Sequence, residues 1–87
     1  MSQQPNVVVY TTSFCPYCVR AKGLLTKKSI AFTEIRVDGD AALRRDMMAK
    51  SGRTSVPQIW IGETHVGGCD ELYAAERGGQ LSQWLSQ

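Results

Sequence analysis

The feature that most constrains this chain is a Cys-x-x-Cys pair, Cys15-Pro16-Tyr17-Cys18, set between two segments of different character. Residues 7–10 are β-branched and aromatic, which favours a buried strand. Residues 17–28 are rich in helix formers, and a proline at position 16 suits the first turn of a helix, where a backbone N–H would have no partner. The pair is therefore predicted to lie at a strand-to-helix corner, with Cys15 at or just before the helix N-terminus.

The segments that follow predict a second strand and a second helix. In the first helix, the expected inward positions are Val19, Ala21, Leu24 and Leu25. Residues 31–37 alternate imperfectly between polar and apolar side chains, as a strand does when it is largely covered. A helix is then predicted from residue 41 to about residue 50, with Asp40 as its N-cap and Ser51-Gly52 at its end.

The second half of the chain predicts a hairpin followed by helices. Residues 58–61 and 64–66 are separated only by Gly62-Glu63, a spacing typical of an antiparallel hairpin. Gly67-Gly68 then interrupts the strand pattern, and a third helix follows that stops at Gly78-Gly79. An apolar edge at i, i+3 and i+4 spacing predicts a final short helix, and its residues are Leu81, Trp84 and Leu85.

These elements together predict an α/β fold with the order βαβαββα. The first crossover is long enough to make strands one and two parallel neighbours, whereas the hairpin is antiparallel. The expected result is a four-stranded mixed sheet flanked by helices on both faces. We expect residues 6–87 to form this one domain and residues 1–5 to form a short disordered tail.

Composition and charge exclude several function classes. The chain has 87 residues, enough for one small domain, and a net charge of only +2 without a basic cluster, so nucleic acid is not an expected partner. Its longest apolar run, residues 7–10, is far shorter than the roughly 20 residues that span a bilayer. The N-terminus lacks the basic start and apolar stretch of a secretory signal, so a reducing, cytoplasmic location is expected.

The three cysteines, Cys15, Cys18 and Cys69, cannot all pair within one molecule. In a reducing compartment, a Cys-x-x-Cys pair points to redox or metal chemistry. At a helix N-terminus, unpaired N–H groups and the helix dipole favour a thiolate, so Cys15 is the expected nucleophile. Cys18, one turn into the helix, is the expected resolving thiol.

A structural zinc site is the alternative interpretation of these thiols. Zinc needs four ligands, and the chain supplies a set consisting of Cys15, Cys18, His65 and Cys69. However, the pair lies at a predicted strand-to-helix corner, while His65 lies inside a predicted strand and is expected to be an ordinary surface residue. We therefore expect no metal.

Three separated motifs carry a resemblance to a known family. They are Cys15-Pro16-Tyr17-Cys18, Ser55-Val56-Pro57 and Gly67-Gly68-Cys69-Asp70. Over residues 6–86 the chain resembles dithiol glutaredoxins, which have the thioredoxin fold, and it is most similar to the bacterial glutaredoxin 3 subgroup. The Trp-Cys-Gly-Pro-Cys motif that is usual in thioredoxins is absent.

The resemblance implies a set of glutathione-binding residues, which are Tyr17, Arg44, Ser55, Val56, Pro57, Gly68, Cys69 and Asp70. It implies that Pro57 follows a cis peptide bond and faces the cysteines, and that the Val56 backbone pairs with the cysteinyl part of glutathione like an added strand. Ser55 stands where relatives have threonine and keeps the hydroxyl. Tyr17 would flank the bound peptide with its ring.

The remaining assignments concern the two ends of glutathione. The helix that begins near Cys69 and Asp70 would bind the γ-glutamyl carboxylate through its free N–H groups, with the Gly67-Gly68 pair allowing close approach. Asp70 would pair with the ammonium group; the competing interpretation makes it an N-cap, and the two roles are compatible. Arg44, or Arg53 next, would bind the glycine carboxylate. Thr12 replaces a lysine that is common in relatives, which removes one charge near Cys15.

The resemblance implies a glutathione-dependent thiol-disulfide oxidoreductase that acts through Cys15 and Cys18, with glutathione as co-substrate. Its expected partners are glutathionylated or disulfide-bearing proteins, among which ribonucleotide reductase is a candidate because some relatives serve it. We expect a monomer. Two alternatives stay open: a thioredoxin-like reductase, and a glutathione-ligated iron-sulfur cluster carrier, which Pro16 disfavours.

Overall fold

The computed structural model describes residues 5–86, so most of the expected N-terminal tail, residues 1–4, lies outside the described residues. The elements are β1 Val7–Thr11, α1 Pro16–Lys27, β2 Thr33–Arg36, α2 Ala41–Ser51, β3 Gln58–Ile61, β4 Thr64–Gly67, α3 Cys69–Gly78 and α4 Gln80–Leu85. Their order confirms the βαβαββα prediction, with α4 as the expected final short helix.

The four strands form one mixed sheet in the order β2-β1-β3-β4. β1 runs parallel to β2, with Val9 opposite Glu34, and antiparallel to β3, with Val9 opposite Ile59. β3 and β4 form the predicted antiparallel hairpin, which contains a register shift between Ile59 and Trp60. The parallel pair and the hairpin are therefore joined through the central contact of β1 with β3.

Alternation along the strands divides the core between the two faces of the sheet. One face supplies Val9 and Ile59 to the larger cluster, where α1, α3 and α4 contribute residues such as Leu25, Leu72 and Leu81. The other face forms a smaller cluster whose buried members are Tyr10, Val37 and Met47. Helices thus cover both faces, as predicted. Among residues 5–86, no helix is long and apolar enough to cross a membrane.

Two expectations about burial are wrong. Val19 was expected to face inward, but it is exposed, and Cys18 is the residue of the first turn that packs inward together with Ala21 and Leu25. The strand at β2 was expected to be largely covered, but three of its four residues are exposed. The reason is topological, because β2 lies at the edge of the sheet and pairs only with β1.

The helix boundaries follow local capping chemistry. The Asp40 carboxylate accepts a hydrogen bond from the Leu43 N–H at 3.0 Å, which confirms the predicted N-cap of α2. α2 ends at Gly52, whose φ of 70° is the left-handed conformation expected of a C-terminal glycine.

We predict that α2 is anchored mainly by one side chain. Met47 is the only fully buried residue of α2, so Met47→Ala should lower the free energy of unfolding by about 2–4 kcal/mol, the usual loss when a core methionine is truncated. Urea denaturation followed by circular dichroism measures this change. The matched control is Met48→Ala at the half-buried neighbour, which should lose much less; equal losses would contradict the anchoring role of Met47.

Candidate active site

Cys15 occupies the N-cap of α1, and its sulfur faces the helix N-terminus. Its backbone is extended, with φ −108° and ψ 105°, and Pro16 is the first helical residue. The Cys15 Sγ accepts a hydrogen bond from the Cys18 N–H at 3.2 Å, and the Cys15 carbonyl accepts one from the Val19 N–H at 3.0 Å. The sulfur therefore takes the place that a serine or aspartate oxygen takes in an ordinary cap, where negative charge is stabilised.

Cys18 lies in a contrasting environment, one turn further and buried. Burial raises the pKa of the Cys18 thiol to about 12, and its hydrogen bond with Cys15 adds to the shift. Cys18 consequently remains a neutral thiol near pH 7 and can donate its proton toward the Cys15 sulfur. The two cysteines therefore differ in exposure, because Cys15 is half-buried and Cys18 is buried.

The loop before β3 lies next to Cys15 at one end of the sheet. The Val56–Pro57 peptide bond is cis, as the resemblance implied. The Cys15 Sγ lies 3.9 Å from the Val56 carbonyl oxygen, so the sulfur and this backbone segment border the same space. Pro57 is buried while Ser55 is exposed, which leaves the backbone of the loop accessible from one side.

A buried glutamine holds this loop from behind. The Gln58 side-chain amide donates to the Ser55 carbonyl at 3.0 Å, and Gln58 Oε1 accepts from His65 Nε2 at 2.8 Å. Because Gln58 is fully buried, these bonds satisfy groups that would otherwise be costly to desolvate. His65 also stacks on Trp60, with ring centroids 4.5 Å apart.

The same contacts define the state of His65. Burial lowers the pKa of His65, and the nearby positive charge of Arg53 lowers it further. The ring is therefore neutral at pH 7 and donates through its Nε2–H, because Gln58 Oε1 is an acceptor. His65 is engaged with Gln58 rather than with the cysteines, and within the described residues no three histidine, cysteine, aspartate or glutamate side chains cluster as metal ligands.

The start of α3 forms the opposite wall of the site. Its N-cap is Gly68, not Asp70, which lies in the first turn; the N-cap alternative for Asp70 is therefore wrong, because the chain turns into the helix two residues earlier. The Gly67 φ of 114° suits only glycine, and a Cβ there would lie 2.9 Å from the Glu71 carboxylate. A Cβ at Gly68 would lie 3.3 Å from the Pro57 carbonyl oxygen, so these glycines do allow a close approach.

Glu71 is a functional candidate that the sequence interpretation missed. Its Oε1 accepts a hydrogen bond from the Gly68 N–H at 2.6 Å and lies 3.4 Å from the Arg53 guanidinium. The Gly68 N–H is the main cause that lowers the pKa of Glu71, so the carboxylate stays charged. The signal that could have revealed it is a glutamate three residues after a helix N-cap, which can accept the N-cap N–H as in one half of a capping box.

These elements enclose a groove with a volume of about 170 Å³, lined by Tyr17, Arg53, Ser55, Val56, Pro57, Gly68, Cys69, Asp70 and Glu71. All the expected glutathione-binding residues except Arg44 therefore lie together. Arg44 is a half-buried residue of α2 and does not line the groove, whereas Arg53 does. Burial also raises the pKa of the Cys69 thiol, so this third sulfur stays protonated at neutral pH.

We predict a large difference in alkylation between the two cysteines of the pair. Because the pKa of Cys18 is about 12, the Cys18 thiolate should be scarce throughout pH 6–9, and burial further limits access to it. Iodoacetamide treatment of the reduced protein followed by peptide mass spectrometry should find Cys15 modified and Cys18 intact across this range. Cys18→Ala provides the control, since it should leave the number of rapidly modified sulfurs unchanged. Early modification of Cys18 would contradict the assignment.

Comparison with known proteins identifies relatives over nearly the whole chain. A model of the glutaredoxin family matches residues 7–66. A glutaredoxin of Pseudomonas aeruginosa is 60% identical over 82 residues, which cover 94% of this chain and 98% of that protein. Glutaredoxin 3 of Escherichia coli K12 is 52% identical over 80 residues, which cover 92% of this chain and 96% of that protein.

A solved structure agrees with these matches. The crystal structure of a buckwheat glutaredoxin-glutathione complex superimposes with a TM-score of 0.84 at 30% identity, covering 93% of this chain and 76% of that one. The overall fold is thus shared with a protein of the same family. With its similarity to glutaredoxin 3 and its thioredoxin fold, this chain belongs to the glutaredoxin family.

Proposed function

We propose that this glutaredoxin is a glutathione-dependent thiol-disulfide oxidoreductase that reduces glutathione mixed disulfides and protein disulfides. The observation that carries the proposal is the position of the Cys15 sulfur. It accepts a hydrogen bond from the Cys18 N–H at a helix N-terminus, and it lies 3.9 Å from the carbonyl oxygen of Val56, a residue that lines the groove. Thiolates are the attacking species in disulfide exchange, and this position favours one.

The groove offers complementary groups for a γ-linked tripeptide. Backbone groups of Val56 beside the cis proline suit the cysteinyl part of glutathione, in the manner of an added strand. The first turn of α3, at Cys69 and Asp70, presents N–H groups for the γ-glutamyl carboxylate and a side-chain carboxylate for the ammonium group. The crystal structure of a buckwheat glutaredoxin-glutathione complex, which this chain resembles in fold, supports glutathione as the ligand.

For a glutathionylated substrate, Cys15 alone completes the exchange. Its thiolate attacks the glutathione sulfur, so that a Cys15–glutathione disulfide forms while the glutathione–substrate bond breaks. The substrate leaves as a thiolate and takes a proton from solvent. A second glutathione thiolate then attacks the glutathione sulfur bound to Cys15, which releases glutathione disulfide and restores the Cys15 thiolate.

For a protein disulfide, both cysteines take part. Cys15 attacks one sulfur of the substrate and forms a mixed disulfide, while the other substrate sulfur leaves. Cys18 then attacks Cys15, passes its proton to the departing substrate sulfur and closes the Cys15–Cys18 disulfide. Two glutathione molecules reduce this bond and become one glutathione disulfide. The high pKa of Cys18 keeps it inactive until the mixed disulfide forms next to it.

The proposal extends to partners and compartment. A glutathione-driven reductase with three free thiols suits the reducing cytoplasm, and disulfide-bearing proteins, ribonucleotide reductase among them, are the proposed substrates. The iron-sulfur carrier and the thioredoxin-like reductase stay as alternatives. Visible absorbance in the purified protein would favour the first, and turnover with a thioredoxin reductase instead of glutathione would favour the second.

We predict that substitutions of the two cysteines separate the two routes. Cys18→Ser should still deglutathionylate a small mixed disulfide, because that route needs only Cys15, but should lose reduction of protein disulfides. Cys15→Ser should lose both activities. A coupled assay with glutathione, glutathione reductase and the mixed disulfide of 2-mercaptoethanol measures the first route. Ser82→Ala, at an exposed position of α4 that does not line the groove, is the control and should keep both activities. Activity in Cys15→Ser would refute the choice of nucleophile.

A further prediction concerns the cation for the glycine carboxylate. Arg53 lines the groove and Arg44 does not, so Arg53→Gln should raise the KM for the mixed disulfide more than Arg44→Gln does. The loss of one partly exposed charge contact, about 1 kcal/mol, corresponds to a roughly fivefold rise. Steady-state kinetics of both variants at low ionic strength provide the measurement. A larger effect in Arg44→Gln would show that α2 supplies the cation instead.

A further inference from the structure

Three exposed apolar residues lie close to Cys15 in the chain. Within residues 5–86, the large hydrophobic residues that are exposed are Phe14 at 102%, Tyr17 at 56% and Val19 at 64%. All three lie within a few residues of Cys15 in the chain, and we call them the collar. Single exposed apolar residues are common on protein surfaces, but a group confined to one small region marks a contact surface.

Phe14 has no structural reason to be a phenylalanine. It belongs to neither hydrophobic cluster, and its φ of 58° places it in the left-handed region. A bulky residue in that conformation costs about 1 kcal/mol or more relative to glycine or asparagine. The exposed ring and the left-handed backbone therefore both disfavour phenylalanine here in the free protein. A contact of the ring in a complex would explain why it is present.

The collar is continuous with the proposed site. Phe14 directly precedes Cys15, and Val19 donates its backbone N–H to the Cys15 carbonyl, which places it one turn above the sulfur. Tyr17 lines the glutathione groove. A segment whose sulfur reaches the Cys15 Sγ therefore comes to the part of the surface where these exposed residues lie.

We propose that the collar binds an apolar side chain adjacent to the target cysteine of a disulfide-bearing polypeptide, and so selects protein disulfides with apolar flanks. This inference rests on the proposed function. The occupant is a substrate segment because three side chains form too small a surface for a stable dimer, which buries well over 1,000 Å² in total. A transient contact that forms only around the reacting sulfur needs no more than this.

The test compares two cyclic peptides, each closed by a disulfide between two cysteines. One carries phenylalanine next to the first cysteine, and the other carries serine there. Each reduction consumes two glutathione molecules and yields one glutathione disulfide and the peptide dithiol. The wild-type protein should show a kcat/KM about fivefold higher for the phenylalanine peptide, the effect of one apolar contact at an interface.

Variants then locate the source of this preference. Phe14→Ser should lose it while still turning over the small mixed disulfide of 2-mercaptoethanol, and Phe14→Leu should keep most of it. Val19→Ser should weaken it from the helix side. If Phe14→Ser also loses turnover of the small disulfide, its loop is disturbed and the variant is not informative. The preference of Val19→Ser between the two peptides then tests the collar.

The outcomes distinguish failure of the collar from failure of the proposed oxidoreductase function. Equal reduction of both peptides by the wild type, or an unchanged preference in the collar variants, would overturn the collar while leaving the oxidoreductase proposal intact. Failure to reduce any disulfide with glutathione would overturn both. A concentration-dependent dimer that Phe14→Ser abolishes would show that a second copy of the chain, not a substrate, occupies the collar.

Discussion

The hydrogen bond from the Cys18 N–H to the Cys15 sulfur, 3.2 Å long, joins the backbone of α1 to the chemistry of the site. It forms only because Pro16 begins the helix directly after Cys15, which leaves the first N–H groups of α1 without partners inside the helix. The same turn buries Cys18, and burial keeps that second thiol protonated. One helix start therefore determines the surroundings of both the half-buried sulfur and the buried one.

The groove beside this sulfur is held by two sets of polar contacts, one from behind it and one within its wall. Gln58 connects the loop at Ser55 with His65 on β4, so the edge strand of the sheet supports the segment that faces Cys15. On the other wall, Glu71 ties the Gly68 N–H to the guanidinium of Arg53. The groove is thus shaped by two short polar networks, each of which begins in a regular element and ends in a loop.

Much of the fold and part of the site could be predicted from the sequence, since they depend on local patterns. The corner at Cys15, the hairpin and the Asp40 cap all follow from neighbouring residues. The exposure of β2 could not be predicted, because edge position depends on the order of all four strands. The outward direction of Val19 depends on the residue at which α1 begins, because that residue sets which side chains face the core. The ion pair of Glu71 with Arg53 joins residues that are distant in sequence.

The Glu71 carboxylate has a consequence for what the groove accepts. The N–H of Gly68, at the N-cap of α3, already donates to the Glu71 carboxylate. Asp70, which also lines the groove, adds a second negative charge. A simple inorganic anion such as sulfate would meet repulsion there. A zwitterion, whose positive group offsets this repulsion while its negative group reaches the next N–H groups, matches the wall instead. By its charges, this wall of the groove would therefore favour an amino-acid-like end over a bare anion.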